Sequence, residues 1–250
     1  QFVKPTLFIS ACIEFEECRY DGTKISDDYV KRLKDHIKVI TVCPELAIGL
    51  SSPRDALRLV ERKGEDLKLL ATNNGDDYTE KMILFSEKYA SRLKEKEVDG
   101  FLMKAKSPTC GIADVKIYHN TGKAHLKSAK NIGMFTKALK AVFPNLPMES
   151  ERRISNFGIR DRFFVEVFTL ADFRQIKNDN KMKTLVAFHT KNKYLFMAYN
   201  QTTLKKMGQA VANQEKLPTE SVFENYEILL RQLLSKEPTM KKRINVLTHI

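Results

Sequence analysis

Apolar and polar positions follow two different patterns along the chain. Up to about Pro147, short apolar runs rich in branched residues alternate with longer amphipathic stretches, which is typical of repeated strand and helix units in a largely parallel sheet. From Asp161 onward, apolar residues recur at a spacing close to that of a helix. We therefore expect an α/β N-terminal domain with a mostly parallel, Rossmann-like sheet over residues 1–147, followed by an all-α C-terminal domain over residues 148–250.

Individual elements can be predicted from the same pattern and from end signals. The clearest strands are Thr6 to Ala11, Ile37 to Val42 and Gly100 to Met103, each leading into a cysteine loop. Helices in the first half are predicted from a Ser26 cap to about Lys34, from a cap at Asp76 or Asp77 to about Lys94, and from Asn131 to Val142. In the second half they are predicted over Phe164 to Phe173, Leu185 to Tyr199, Leu204 to Ala212 and Val222 to Leu234.

The charge balance indicates an anionic partner. Lys and Arg number 43 against 31 Asp and Glu, a net charge of +12. The segment from Lys181 to Ile250 alone holds 12 Lys or Arg and 5 Asp or Glu, a net of +7. Nucleic acid is the partner that such an excess favours, although a solvated basic surface is the other interpretation. We expect no membrane partner, because no apolar run reaches the roughly 18 residues that a bilayer-spanning helix needs.

Four cysteines are too few for a secreted disulfide scaffold, and no leader resembles a secretion signal, so a reducing cytoplasm is expected.

Cys12, Cys43 and Cys110 lie at or just beyond the ends of the three predicted strands. Parallel strands place their carboxyl ends at one edge, so the thiols converge if the strands are neighbours. Clustered thiolates select zinc, copper(I) or iron–sulfur clusters. A zinc site that also uses Cys18, and inert buried cysteines, both stay open at this point.

The neighbours of these cysteines carry proton-handling groups. Glu45 lies two residues after Cys43 and is a candidate proton donor and acceptor. Ser107 lies in the turn before Cys110 and could orient a substrate or relay a proton, while Gly111 would permit close approach of a ligand. Each of these residues also has a purely structural interpretation as a turn or helix-entry residue. The same ambiguity holds for the cations and the aromatic ring in Arg19-Tyr20 and Pro53-Arg54.

At this point the residues match a known family. From about Lys4 to Pro147 the chain resembles the thiouracil desulfidases, through Ser10-Ala11-Cys12, Cys18-Arg19-Tyr20-Asp21-Gly22, Cys43-Pro44-Glu45, Gly49-Leu50 with Pro53-Arg54, and Lys106-Ser107-Pro108-Thr109-Cys110-Gly111. The resemblance implies a [4Fe-4S] cluster on Cys12, Cys43 and Cys110, with one iron left open. It implies catalytic roles for Glu45 and Ser107 and substrate contacts by Arg19, Tyr20, Arg54 and Lys106. Cys18 is placed outside the ligand set, because family members often have an apolar residue there.

The C-terminal half resembles the YbgA-like helical domain, through Leu185 to Lys191, Met197-Ala198-Tyr199, Met207-Gly208 and Val211-Ala212. The combination of both halves resembles desulfidases that act on 4-thiouridine in tRNA, whereas members without the helical half are associated with free thiouracils. Tyr199 stands where the pattern usually has His, and His189 is more typical of a packed helix residue than of a catalyst.

The resemblance implies that sulfur is replaced by oxygen without net redox, giving uridine or uracil and hydrosulfide. Free base, nucleoside and tRNA all stay open as the substrate. Two alternative functions also stay open at this stage: a tRNA-binding carrier of sulfur or of an iron–sulfur cluster, and a zinc-stabilised interaction module.

Overall fold

The computed structural model describes residues 3–247. It divides into two compact units, Lys4–Phe164 and the remainder from Val165 together with the N-terminal end. The strands are Thr6–Ser10 (β1), Lys38–Val42 (β2), Leu57–Val60 (β3), Lys68–Ala71 (β4), Gly100–Met103 (β5), Val115–Tyr118 (β6), Leu126–Asn131 (β7) and Met148–Ser150 (β8). The helices are Asp28–Leu33 (α1), Pro44–Ala47 (α2), Thr79–Leu93 (α3), Met134–Val142 (α4), Phe157–Asp179 (α5), Met182–Tyr199 (α6), Gln201–Ala212 (α7), Thr219–Leu234 (α8) and Met240–Leu247 (α9).

The first sheet is parallel throughout and has the strand order β2-β1-β5-β8. In β1, Leu7 pairs with Val39 of β2 on one side and with Gly100 of β5 on the other. Every residue of β1 is buried, as is usual for a central strand covered on both faces. The three strands predicted from the sequence are therefore neighbours, and the predicted parallel sheet is confirmed.

A second sheet, of order β4-β3-β6-β7, mixes antiparallel and parallel pairs. The sequence did not predict its strands, because β3, β4 and β6 each contain a lysine or arginine and β7 has no buried residue, so none of the four is a continuous apolar run. Such strands form because they pair with neighbouring strands in the folded chain. This sheet matters for the site because β3 begins at Leu57, next to the carboxyl ends of the first sheet.

The starts of two helices differ from the sequence prediction, and the start of a third agrees with it. Asp27, not Ser26, caps α1, since its Oδ1 accepts hydrogen bonds from the Tyr29 and Val30 amides at 3.0 Å. Asp77, one of the two residues predicted to cap α3, accepts a hydrogen bond from the Thr79 amide at 2.9 Å in the first turn. The helix predicted to start at Asn131 starts at Met134, because the preceding residues pair with β6 as strand β7.

Aromatic side chains from α3 and α4 cover one face of the parallel sheet. The Phe8 ring lies 5.8 Å from those of Phe101 and Phe135 and 6.2 Å from that of Tyr89. Aromatic pairs of this kind contribute about 0.5–1.5 kcal/mol beyond the area they bury. This packing fixes β1 and β5, and with them the strand ends that form the site.

The second unit consists of helices, as predicted, and its core is aromatic. Phe173 stacks on Tyr226 at 5.5 Å and contacts the rings of Phe188 and Phe223. Packing divides the chain after Phe164, while the functional boundary after residue 147 stays a prediction. Among the described residues, no helix is both long enough and apolar enough to cross a bilayer.

Candidate active site

The carboxyl ends of β1, β2 and β5 open into one cavity of about 410 Å³. Cys12 lies two residues after β1, Cys43 directly follows β2, and Cys110 lies in the loop after β5. All three cysteines line the cavity, because parallel neighbouring strands end at the same edge of their sheet. The structure thus brings together three thiols that are far apart in sequence.

The other side chains predicted for the site line the same cavity. They are Arg19, Tyr20, Glu45, Arg54, Lys106 and Ser107. The wall also includes polar residues to which the prediction gave no role, namely Ser10, Cys18, Lys104 and Thr109. The position of every predicted residue is therefore consistent with its role, while the roles themselves stay predictions.

The thiols differ in exposure. Cys110 is buried, and burial raises the pKa of its thiol to about 12, against smaller opposing effects of hydrogen bonds with Ser10 and Thr109. Cys12 and Cys43 are half-buried and face the cavity. In residues 3–247, no three His, Cys, Asp or Glu side chains are arranged to hold a single metal ion. The donor set is thus a group of thiols spread around a cavity.

Cys18 lines the same cavity as these three cysteines. It is only 2% exposed, and its thiol interacts with those of both Cys12 and Cys43. The hydrogen bond with Cys12 is the largest contribution to the raised pKa of Cys18, about 12. The sequence prediction placed Cys18 outside the ligand set, and the structure places its thiol beside two of the three predicted ligands. The signal in the sequence was the short separation between Cys12 and Cys18, which lets one loop carry both.

Glu45 is held by hydrogen bonds from two directions. It lies in α2, directly after Cys43, and is buried. Its Oε2 accepts from Arg54 Nε at 2.9 Å and from Arg54 Nη2 at 2.6 Å, while its Oε1 accepts from the Thr109 hydroxyl at 2.9 Å. Arg54 therefore compensates the charge of a buried carboxylate that would otherwise be costly to keep from water.

A line of hydroxyl groups connects Glu45 to Ser107. Ser107 Oγ accepts hydrogen bonds from the amides of Thr109, at 3.2 Å, and Cys110, at 3.1 Å. Its own proton can then point to Thr109 Oγ1, 2.9 Å away, and Thr109 in turn donates to Glu45. The sequence predicted Ser107 and Glu45 separately. Thr109, which connects them, was visible only as a second hydroxyl in the same turn.

Arg54 uses most of its donors within the protein. Besides Glu45, its guanidinium donates to the carbonyl oxygens of Ser51 and Cys18, both at 3.0 Å. Its backbone amide donates to the Tyr20 carbonyl at 2.9 Å. The side chain is 5% exposed. Arg54 therefore joins the segment around residue 52 to the loop that carries Cys18, and substrate contact by Arg54 stays a prediction.

Two predicted substrate contacts are more exposed. Tyr20 is 49% exposed, and the Arg19 guanidinium lies 5.8 Å from the centre of its ring. Arg19 is held by Asp21 and by Thr23, to whose hydroxyl it donates at 2.6 Å. Lys106 has a backbone φ of +60° and donates its amide to Asp114 at 2.9 Å. An aromatic surface and cations thus lie at the mouth of the cavity, which suits a nucleobase with its phosphate.

Two glycines shape the Cys110 loop. Gly111 was expected to admit a ligand, but an added Cβ would instead overlap Val115 Cγ2 and lie 2.8 Å from the Ser107 carbonyl oxygen. At Gly133 a Cβ would overlap the Thr109 carbonyl group and lie 2.9 Å from the Cys110 amide nitrogen. The start of α4 also holds this loop, because the Met134 amide donates a hydrogen bond to the Pro108 carbonyl oxygen at 3.0 Å. Close backbone packing therefore positions Cys110.

His189 lies in the second unit and is packed there. Its Nδ1 is 3.0 Å from the hydroxyl of Tyr226, a fully buried residue. Burial lowers the pKa of His189, and the nearby Lys193 lowers it further. These contacts agree with the interpretation of His189 as a packed helix residue.

Comparison with known proteins connects this geometry to a family. The family model described as 2-thiouracil desulfurase matches residues 7–151, and one described as a protein of unknown function (DUF1722) matches residues 193–250. YbbK of Bacillus subtilis (strain 168), an uncharacterized protein, is 31% identical over 109 residues, which cover 42% of this chain and 72% of YbbK. A solved [4Fe-4S]-dependent thiouracil desulfidase, TudS, is 25% identical with a TM-score of 0.49, covering 61% of this chain and 94% of its own.

The first family match spans more than half of the chain, from Leu7 in β1 to Glu151 just beyond β8. It includes the strand ends and every cavity residue that the sequence predicted. The chain belongs to the 2-thiouracil desulfurase family.

Proposed function

We propose that the chain holds a [4Fe-4S] cluster on Cys12, Cys43 and Cys110 and removes sulfur from thiolated uracil, with 4-thiouridine in tRNA as its main substrate. The observation that carries the proposal is the single cavity in which these thiols meet the Glu45–Thr109–Ser107 hydrogen-bond chain. Thiol donors suit such a cluster, because the three cysteines would each bind a different iron and need not meet at one point. The TudS protein named above depends on such a cluster.

When bound, the cluster would supply an iron without a protein thiolate as a Lewis acid for the substrate sulfur. The chain's own residues would then manage the protons. Glu45 accepts a proton from the attacking water, and its Oε1 exchanges protons with Thr109 and, through it, with Ser107. Water replaces sulfur at the ring carbon, so thiocarbonyl and water become carbonyl and hydrogen sulfide without net redox.

The tRNA part of the proposal rests on charge. Exposed lysines of the helical unit without a carboxylate partner among the described residues include Lys183, Lys193, Lys205, Lys206 and Lys241. Together with the net charge of +7 from residue 181 onward, they favour contact with phosphates. Tyr20 offers its exposed ring for stacking on a base.

The first experiment uses protein prepared and reconstituted without oxygen. Iron and sulfide analysis should give about four irons per chain, with brown thiolate-to-iron absorbance. Alanine at Cys12, Cys43 or Cys110 should remove cluster and turnover together, whereas Cys18→Ala should keep the cluster. Colourless protein that contains zinc would support the interaction module instead. If a fully loaded protein releases no sulfide from any thiolated uracil, the carrier function is the better explanation.

The second experiment identifies the substrate. Sulfide release is compared for 4-thiouracil, 2-thiouracil, 4-thiouridine and tRNA that contains 4-thiouridine, at matched concentrations. We expect tRNA to have the lowest KM, and its affinity to fall steeply as salt rises. Glu at Lys205 and Lys206 should weaken tRNA binding, whereas Glu at Lys81 and Lys88, exposed on α3, provides the matched charge control. Equal KM values for tRNA and free nucleoside would contradict the tRNA assignment.

A further inference from the structure

The hairpin formed by β6 and β7 carries charge of one sign only. The segment from Val115 to Met148 contains six lysines, no arginine and no Asp or Glu. Its net charge of +6 is half that of the whole chain, in a segment about half as long as the basic one from residue 181 onward. Charge of a single sign at this density attracts a polyanion. Four of the six lysines lie in the hairpin itself, Val115–Asn131, which we call the basic hairpin.

Three of these four lysines are open to an anion. Lys116, Lys123 and Lys130 are exposed, and none has a carboxylate partner within residues 3–247. Lys127, by contrast, pairs with Glu61 at 2.5 Å. Lysines on an exposed edge strand such as β7 also prevent pairing with another chain. That role does not explain Lys116, which lies on β6 between two paired strands, or Lys123, which lies in the loop between β6 and β7.

The base of the basic hairpin is anchored to the wall of the active-site cavity. Just after the hairpin, the Gly133 amide donates to the Gly111 carbonyl oxygen at 2.8 Å, beside Cys110. Just before it, Asp114 accepts a hydrogen bond at 2.9 Å from the amide of Lys106, a cavity residue. The basic hairpin therefore extends from the same loop that carries Cys110 and Lys106.

The far end of the hairpin is held by a neighbouring strand. The guanidinium of Arg58 in β3 lies 4.4 Å from the centre of the Tyr118 ring and donates to the carbonyl oxygen of Gly122 in the hairpin loop. Arg58 directly follows Leu57, which lines the cavity. At about 3.3 Å per residue, the chain from the base of the hairpin to Lys123 extends over at most roughly 25 Å. This length is sufficient to contact several successive phosphates of one strand.

We propose that the basic hairpin binds the backbone phosphates next to the thiolated nucleotide, so that the catalytic unit itself recognises RNA. This inference rests on the function proposed above and adds a second surface to the lysines of the helical unit. RNA fits best because the cavity at the base of the hairpin belongs to a family described by its action on thiouracil, and separated lysines suit a chain of phosphates. Lysine contacts with phosphates carry no information about the bases. A short strand of any sequence around the thiolated base should therefore bind.

The first test compares two substrates of the whole chain, loaded with its cluster without oxygen. One is a short single-stranded RNA with 4-thiouridine at its centre, and the other is the free nucleoside 4-thiouridine. In wild type the RNA should have the lower KM. Exchange of Lys116, Lys123 and Lys130 for Glu should raise the KM for the RNA on the order of tenfold or more, because three phosphate contacts are lost. The kcat and KM for the nucleoside should stay at wild-type values.

The matched control places three Glu residues elsewhere on the same unit. Its sites are in the segment that leads to the start of β5, at the opposite edge of the parallel sheet from the cavity. They are the exposed Lys88, Lys94 and Lys96. This control variant has the same change in net charge and should resemble wild type with both substrates.

A second readout needs no turnover. Fluorescence anisotropy of the same RNA with a dye label gives Kd at several salt concentrations. Each phosphate contact adds about 0.7 to the slope of log K against log salt for a single strand, so the hairpin variant should have a slope lower by about 2. Gln at the same three lysines removes the charges without reversing them, and it should give the same lower slope if the Glu variant does not fold.

Equal KM values and salt slopes for the hairpin and control variants would overturn the inference and leave the proposed desulfidase function standing. A hairpin variant that loses nucleoside turnover would also overturn it, since the lysines would then support the Cys110 loop. So would a variant that differs from wild type only by self-association, since the lysines would then protect the edge strand. A wild-type protein that binds the RNA through the hairpin but releases no sulfide from any thiolated uracil would contradict the proposed function alone.

Discussion

Arg54 donates two hydrogen bonds to the same oxygen of Glu45, from Nε at 2.9 Å and from Nη2 at 2.6 Å to Oε2. The other oxygen, Oε1, accepts only the Thr109 hydroxyl among the contacts of the described residues. The carboxylate is therefore divided into a side held by the cation and a side joined to a chain of hydroxyls. In the proposed function, Oε1 is therefore the atom through which Glu45 would exchange protons with Thr109.

Arg54→Lys separates positioning from substrate binding. A lysine keeps the positive charge. Its compact ammonium group lacks the forked guanidinium geometry with which Arg54 donates to Glu45, Ser51 and Cys18 at once. We expect kcat to fall on the order of tenfold, within the range of acid–base effects, with KM nearly unchanged. Steady-state kinetics on the loaded protein measure both. A rise in KM at constant kcat would instead indicate that Arg54 binds substrate, as predicted from the sequence. Arg54→Met is the more severe variant, because removing one partner of a buried ion pair lowers the free energy of unfolding by about 3–5 kcal/mol.

Thr109→Val tests the hydroxyl chain. Valine has nearly the same shape, but it leaves Glu45 Oε1 without its donor and disconnects Ser107. Turnover should fall on the order of tenfold, less than the 10²–10⁴-fold loss expected for a whole acid–base group, as in Glu45→Gln. Iron content and absorbance should stay at wild-type values. Thr109→Ser restores the hydroxyl and should recover most of the rate, so a Ser variant as slow as Val would refute the relay.

Gly133→Ala tests how the Cys110 loop is positioned. A Cβ at this residue overlaps the Thr109 carbonyl group, so the loop or α4 must shift. Overpacking of this kind costs about 1–3 kcal/mol of the free energy of unfolding. We expect a lower melting temperature and less iron bound after reconstitution. Gly158→Ala is the control, because its nearest contact would be 3.5 Å from Asn156 Oδ1. Equal iron content in both variants would show that Cys110 does not depend on this packing.

His189 should make the stability of the protein depend on pH. Burial lowers its pKa in the folded chain below the ordinary value of 6.5. Between these two pKa values the unfolded chain binds more protons, so the free energy of unfolding falls as pH drops below about 6.5. His189→Gln should flatten the fall in melting temperature between about pH 7.5 and pH 5.5, and His36→Gln, at an exposed residue, is the control. The same slope in wild type and His189→Gln would contradict the assignment.

The sequence determined the parts of this protein that depend on local pattern. The strand before Cys12 and the strand before the Cys110 loop could be predicted because continuous apolar runs mark strands buried on both faces. The strand before Cys43 lies at the edge of the sheet and is only half-buried, but it still carries an apolar run. The long helices of the second unit were equally clear from their apolar spacing. The candidate residues followed from these strand ends and from the family motifs.

Only the tertiary structure decided which side chains meet. The second sheet was not predicted, because charged residues interrupt β3, β4 and β6 and the exposed strand β7 has no apolar pattern, so these strands form through pairing. The Arg54–Glu45 pair, the Thr109 link and the approach of Cys18 to Cys12 and Cys43 depend on loops packed against one another across the strand ends. Local sequence pattern fixes which residues are buried, whereas the distances between residues far apart in the chain are set by how the whole fold packs.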